Sequence, residues 1–190
     1  MIVYLHGFRS SPRSTKARQL QARLVDRGLA SQWCCPQLPV SPRAAAAAIR
    51  ALVEAPGMQP LAVIGSSLGG YYATWIAEQV DCRVVLLNPA VRPDRDLVAH
   101  LGVQAVWHSD DTVDVKPEYL DELKALRVGD VTRPARYLLV AATGDDVLDW
   151  REMTARYPDV HTRVIEGSDH GLSDFPEYFD DVIDFALAVH

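Results

Sequence analysis

Leu61-Ala62-Val63-Ile64-Gly65-Ser66-Ser67-Leu68-Gly69-Gly70-Tyr71 decides the reading of this chain. The first four residues form an apolar, β-branched run of the kind a buried parallel strand requires. From Tyr71 through Trp75 and Ile76 the apolar spacing turns helical. Between the two stands G-x-S-x-G, Gly65 to Gly69. A strand that passes directly into a helix through this pentapeptide puts Ser67 in a sharp, strained turn, where a side chain two positions to either side would strike neighbouring backbone. The turn lifts the Ser67 hydroxyl above the C-terminal edge of the sheet, and the first N–H groups of the helix point at the same spot. The alternative is a Gly-rich βα turn whose serine only caps the helix. Ser66, without the glycine spacing, is the weaker nucleophile candidate.

Outward from this turn the same alternation recurs. Strands are expected at Ile2–Leu5, Ser31–Cys35, Leu61–Ile64, Arg83–Leu87, Arg136–Ala142 and Thr162–Ile165. Amphipathic stretches separate them, which is the pattern of a mostly parallel six-stranded sheet built from βαβ units. The first helix follows the Ser10–Ser14 turn, buries Leu20 and Leu24, and stops at Gly28. The second has Ser41 as N-cap and Pro42 in its first turn, runs through Ala44–Ala48 and Leu52, and ends at Pro56-Gly57. The last begins near Ser173 and carries Phe175, Phe179, Val182 and Ile183 on one face. Between Pro89 and Arg136 the interval is too long for one crossover helix. It is read as a helix at Pro117–Leu126 plus irregular segments over one sheet edge, a small cap at about residues 90–135. With 190 residues the chain fits one domain.

Composition narrows the function. Apolar residues make up 48% and charged residues 23%, as in globular proteins, and 19 Lys+Arg against 25 Asp+Glu give a net charge of −6. That balance repels nucleic acid and anionic membrane surfaces. Cys34, Cys35 and Cys82 have no metal-binding or framework spacing and read as free thiols in a reducing compartment. No apolar run is long enough to cross a bilayer, and Ile2 opens a strand with no basic leader before it. The expectation is a soluble, cytoplasmic protein.

A serine hydroxyl is a poor nucleophile at neutral pH and needs a base, itself oriented by a carboxylate. In the chain order Ser, Asp/Glu, His both are found after later strands. Thr143-Gly144-Asp145-Asp146-Val147-Leu148-Asp149 follows the fifth strand, and Glu166-Gly167-Ser168-Asp169-His170-Gly171 follows the sixth. Both fall at the strand ends where open α/β sheets bind ligands. His170 is the base candidate; His6, His100, His108, His161 and His190 lack this placement. Asp145, Asp146 and Asp149 are all within reach by sequence, with Asp145 preferred. The first strand runs into His6-Gly7-Phe8, so the backbone N–H groups of Phe8 and Leu68 are the candidate oxyanion donors. His6 is expected to brace that turn. Asp110, Asp111 and Asp114 lack the remaining ligands of a calcium loop and read as a solvated face. No metal or organic cofactor is called for, since the metalloprotease, P-loop and dinucleotide motifs are absent.

Tyr4-Leu5-His6-Gly7-Phe8 with Ser10-Ser11-Pro12, Gly65-Ser66-Ser67-Leu68-Gly69-Gly70-Tyr71, Leu87-Asn88-Pro89-Ala90, Thr143-Gly144-Asp145 with Val147-Leu148-Asp149, and Asp169-His170 before Ser173-Asp174-Phe175 together resemble the α/β-hydrolase superfamily. More narrowly they resemble its compact bacterial YqiA-like esterases. The resemblance runs nearly the whole chain. It implies a three-layer α/β/α hydrolase fold and a Ser67, Asp145, His170 triad, selecting Asp145 over Asp146. It also implies esterase or thioesterase activity on small acyl esters or acyl-CoA-type thioesters. The chain differs from larger relatives in starting directly at the oxyanion strand and in having little room for a lid, which argues against lipase action at interfaces. The rival readings are acyl transfer or peptide hydrolysis on the same triad, and a non-catalytic binding module of the same fold. The acyl pocket is expected to draw on the 89–136 segment. Tyr71, Trp107 and Leu172 are candidates for its border, with ordinary packing as the alternative.

Overall fold

The computed structural model describes residues 1–58, 62–107 and 110–188. Leu61, His108 and His190 lie outside the described residues. The first half of the chain forms β1 (Ile2–Leu5), α1 (Thr15–Asp26), β2 (Trp33–Cys34), α2 (Pro42–Val53), β3 (Ala62–Ser66), α3 (Leu68–Ala77) and β4 (Arg83–Leu87). The second half begins with a one-turn α4 (Pro93–Asp96), a pair β5 (Gly102–Ala105) and β6 (Thr112–Val115), and α5 (Glu118–Ala125). It closes with β7 (Tyr137–Ala142), α6 (Trp150–Arg156), β8 (His161–Ile165) and α7 (Phe179–Leu187).

Six strands make one parallel sheet in the order β2-β1-β3-β4-β7-β8. Strand alternation splits their side chains between two cores. Val3, Leu5, Val63, Val84, Leu86, Leu139 and Ala141 pack on one face with α2, α3, Leu123 of α5 and Met153 of α6. Ile2, Tyr4, Ala62, Ile64, Val85, Leu87, Val140 and Ala142 pack on the other with α1 and α7. The result is a three-layer α/β/α hydrolase fold. Helix starts follow the expected chemistry: the Ser14 and Ser41 hydroxyls accept N–H bonds from Ala17 and Ala44. From β1 the chain steps outward to β2 and then returns past β1 to β3, so the crevice at the C-terminal ends of β1 and β3 is the topological switch point.

Several expected boundaries move, each for a local reason. Pairing in β2 is confined to Trp33–Cys34, because Ala30–Gln32 coil into a 3₁₀ turn and Pro36 brings no N–H to extend it. Arg136 belongs to the 3₁₀ turn Pro134–Arg136, not to β7. Its buried guanidinium bonds Asp81 Oδ1 (2.9 Å) and the Val80 and Ala77 carbonyls (3.2 and 3.0 Å) at the C-terminal end of α3, where a cation is favoured. β8 begins at His161, β3 runs on to Ser66, and the last helix proper starts at Phe179 after a 3₁₀ turn at Phe175–Tyr178. The 89–136 interval is more regular than expected: β5 and β6 pair antiparallel. Their four-residue strands mix Gln104 and Asp114 with a well-exposed Val103, so no apolar run announces them. The short helix α6, unforeseen, buries only Met153 fully.

Leu86 sits mid-sheet between β3 and β7 with no exposed surface. Leu86→Ala is expected to lower unfolding free energy by about 3 kcal/mol, read as a fall in the urea midpoint at unchanged slope.

Candidate active site

Ser67 occupies the turn between β3 and α3 with φ 54° and ψ −122°, outside the backbone range that side-chain-bearing residues favour. Hydrogen bonds hold it there. Its N–H donates to Leu87 O (3.0 Å), and its carbonyl accepts from Gly70 (2.9 Å) and Ala90 (3.0 Å). The expected crowding is present on both sides: a Cβ on Gly65 would stand 2.3 Å from Gly69 O, and one on Gly69 would stand 1.9 Å from Leu5 O. Only hydrogen at these positions lets α3 start against the end of β1.

The structure brings Asp145 and His170 together. Asp145 follows β7 and His170 follows β8, neighbouring strands in the sheet. The imidazole Nδ1 lies 2.8 Å from Asp145 Oδ2. The Asp145 side chain has no exposed surface, and its Oδ1 accepts N–H bonds from Val147 and Leu148, both at 2.8 Å. Neither Asp146 nor Asp149 bonds the histidine: Asp146 is exposed, and Asp149 caps α6 through Arg151 N–H. Ser67 and His170 line one cavity of about 190 Å³ without a hydrogen bond between them.

Two residues to which sequence reasoning gave no role tie this arrangement together. Asn88, fully buried at the end of β4 with φ 43°, donates from Nδ2 to Asp169 O (3.0 Å) and His170 O (3.3 Å). Its Oδ1 accepts from Ala142 N–H (2.8 Å) at the end of β7. One amide thereby fastens both the strand that leads to Asp145 and the loop that carries His170. From α1, the half-buried Lys16 Nζ donates to His170 O (3.3 Å) and Gly171 O (2.9 Å). Burial pushes its ammonium down to about 8, against the pull of Asp169 and Asp145. The clue to Asn88 was a polar side chain directly after an apolar strand; Lys16 left no distinguishing pattern.

The cavity shared by Ser67 and His170 has polar walls from Ser10, Ser14, Thr15 and Lys16, with Trp107 beside them. A second cavity of about 120 Å³ also reaches Ser67 but not His170. Its walls are mainly apolar, from Phe8, Leu68, Ala90, Pro93, Leu97, Val147 and Leu148, with Asp96 and His100 as polar members. Part of the 89–136 segment thus does border the site. Among the described residues the Phe8 and Leu68 N–H groups donate to no other group. Leu172 lies in the core with Phe175, and Tyr71 lines a different cavity. Among the described residues no group of three His, Cys, Asp or Glu side chains is gathered as metal ligands. Cys82 is buried and Cys34 and Cys35 half-buried, all three free, and burial raises each thiol, Cys35 to about 12.

A model of the uncharacterised protein family UPF0227 matches residues 1–187. The chain belongs to that family. Among solved structures it is similar to mouse alpha/beta hydrolase domain-containing protein 10, with 14% identity over 96% of this chain and 89% of that one at a TM-score of 0.74. It is also similar to Est1E from Butyrivibrio proteoclasticus, with 17% identity over 96% and 86% at 0.73. A third is the monoacylglycerol lipase of Paleococcus ferrophilus, with 15% identity over 98% and 93% at 0.68. These likenesses establish the α/β-hydrolase fold for this UPF0227 member.

In this UPF0227 chain the loop after β1 is braced from two directions. The buried His6 is neutral by geometry: Nδ1 meets Gly7 O at 3.0 Å as donor, and Nε2 accepts from Leu38 N–H at 3.1 Å. Arg9, at φ 58°, clamps the β5–β6 hairpin to the same loop. Its guanidinium bonds Ala105 O and Gln104 Oε1 and lies over the Trp107 ring, while its carbonyl accepts from Trp107 N–H (2.8 Å). Burial holds the His6 imidazole below its ordinary 6.5, so the unfolded chain takes up that proton first. The neutral brace is fully present above pH 6.5 and is lost as pH falls toward the lower folded value. His6→Phe is expected to cost about 1–2 kcal/mol at pH 7.5 and to flatten the decline in stability below pH 6.5; paired urea titrations at pH 7.5 and 5 measure both.

Proposed function

We propose that this chain is a serine hydrolase, cleaving small acyl esters or thioesters by two-step acyl transfer through Ser67, His170 and Asp145. The observation that carries the reading is the conjunction of a serine strained at a βα turn with a half-buried His170 that lines the same cavity and is bonded to the buried Asp145. His170 takes the proton of the Ser67 hydroxyl as the oxygen attacks the substrate carbonyl. Asp145, fixed by two backbone N–H bonds, accepts from Nδ1–H, holds the tautomer and stabilises the imidazolium. The Phe8 and Leu68 amides receive the developing oxyanion. His170 then protonates the departing alcohol or thiol, and water repeats the sequence to free the acid. The serine–imidazole hydrogen bond is expected to close on substrate binding, since such bonds are often long in empty sites.

The two cavities support a reading of how the substrate lies. A leaving group must depart next to the imidazole that protonates it, so in this reading it occupies the cavity that His170 lines. The acyl chain takes the other, where Leu97 and Pro93 come from the segment after β4. No step requires a metal or an organic cofactor, and cytoplasmic residence fits the free thiols.

A fluorophosphonate probe is expected to label the folded protein and not Ser67→Ala. Asp145→Asn is expected to cut turnover of a 4-nitrophenyl ester by about 10⁴-fold, with Asp146→Asn near wild type. Labelling that persists in Ser67→Ala removes Ser67 as the nucleophile and none in wild type returns the binding-module reading; the reverse order of the two Asp variants reassigns the acid. Asn88→Asp sets a carboxylate against the Asp169 and His170 carbonyls. It is expected to lower kcat by about 100-fold with KM little changed, measured on the same ester after circular dichroism confirms folding.

A further inference from the structure

A cavity of about 230 Å³ lies apart from both Ser67 cavities and shares no residue with them. Tyr71 and Thr74 of α3 and Tyr157 at the end of α6 contribute to its walls, and Arg92, Arg127 and Arg156 line it from three separate segments. Such convergence is unexpected in a chain whose net charge is −6. Like charges brought together cost free energy unless counter-charge is supplied.

Local carboxylates supply only part of it. Asp94 is taken by Arg127 Nη2 (2.8 and 2.9 Å). Glu152 gives both oxygens to Arg95 (2.7 Å each), which also holds Asp96 (2.8 Å). Glu152 is kept below its usual range chiefly by Arg95, with Arg92 adding only a through-space pull. Arg156 donates to the neutral Val128 and Gly129 carbonyls (3.2 and 2.6 Å) and lies over the Tyr157 ring. Among the described residues neither Arg92 nor Arg156 has a carboxylate ion-pair partner. The tyrosine hydroxyls are also engaged, Tyr71 with Leu123 O (2.8 Å) and Tyr157 with Thr74 (2.9 Å).

We infer that this cavity is a second ligand site, one that takes a phosphate group. Guanidinium forks match tetrahedral oxyanions in geometry and in charge, and aromatic walls suit a small organic substituent beside the anion. The volume, several times the roughly 30 Å³ a water occupies in the liquid, leaves room for that substituent. Free phosphate and a small phosphorylated molecule share this chemistry. The site does not depend on the catalytic reading, because its walls exclude Ser67, Asp145 and His170.

Thermal unfolding of the full chain with 10 mM inorganic phosphate, against sodium chloride at matched ionic strength, tests the inference. Phosphate is expected to raise Tm by about 3 °C more than chloride does. The gain should persist in Ser67→Ala and vanish in Arg92→Ala/Arg156→Gln. Because Arg156 also ties the 128–129 carbonyls, Arg92→Ala alone is run as well and should lose at least half of the gain. Glycerol 3-phosphate giving a larger gain than inorganic phosphate supports a phosphorylated small molecule as ligand, and an equal or smaller one supports free phosphate. A phosphate gain no larger than that of chloride, or one that survives in the double variant, overturns the site.

Discussion

Backbone strain in this protein is concentrated at one place. Four non-glycine residues among those described have positive φ: Arg9, Ser67, Asn88 and Leu172. Arg9 follows Phe8, Ser67 is the elbow itself, Asn88 fastens the histidine loop, and Leu172 stands two residues after His170. Each such conformation costs on the order of 1–3 kcal/mol and persists only when its surroundings over-determine it. At Ser67 they do: three backbone hydrogen bonds fix the turn, and the Leu5 carbonyl closes the space beside Gly69. At Asn88 the side-chain amide is satisfied on both ends in a fully buried position. The strands β3 and β4, which Ser67 and Asn88 directly follow, hold these two residues where an unstrained loop would relax.

That dependence explains what the sequence revealed. The elbow was legible because its sterics demand glycine at fixed offsets after a strand, and few other arrangements need that pattern. His170 and Asp145 were legible as residues at strand ends in the right chain order, and the bond between them agrees with that placement. Spacing alone left Asp145, Asp146 and Asp149 in reach with a preference for Asp145, and the resemblance selected it over Asp146. Strands buried on both faces were visible as apolar runs, with boundaries displaced by one or two residues where a 3₁₀ turn or Pro36 intervened.

What stayed hidden were contacts that local pattern cannot encode. The β5–β6 hairpin is half-exposed and carries polar residues within its strands. Lys16 reads as an ordinary charge early in a helix, yet it meets carbonyls 154 and 155 positions away. The three arginines about the remote cavity are scattered between positions 92 and 156, and only the packing of α3, α4, α5 and α6 brings them to one place. Such features come from tertiary geometry and have no periodicity to find.

The clamp made by Arg9 gives the hairpin a mechanical role. Because one guanidinium and one main-chain bond join it to the segment that presents the Phe8 amide, the two travel as one body. Gln104, Ala105 and Trp107 stand at the turn end of the hairpin, so a change of length there is felt at once beside the Phe8 amide, whereas the open end at Gly102 and Val115 lies away from the clamp.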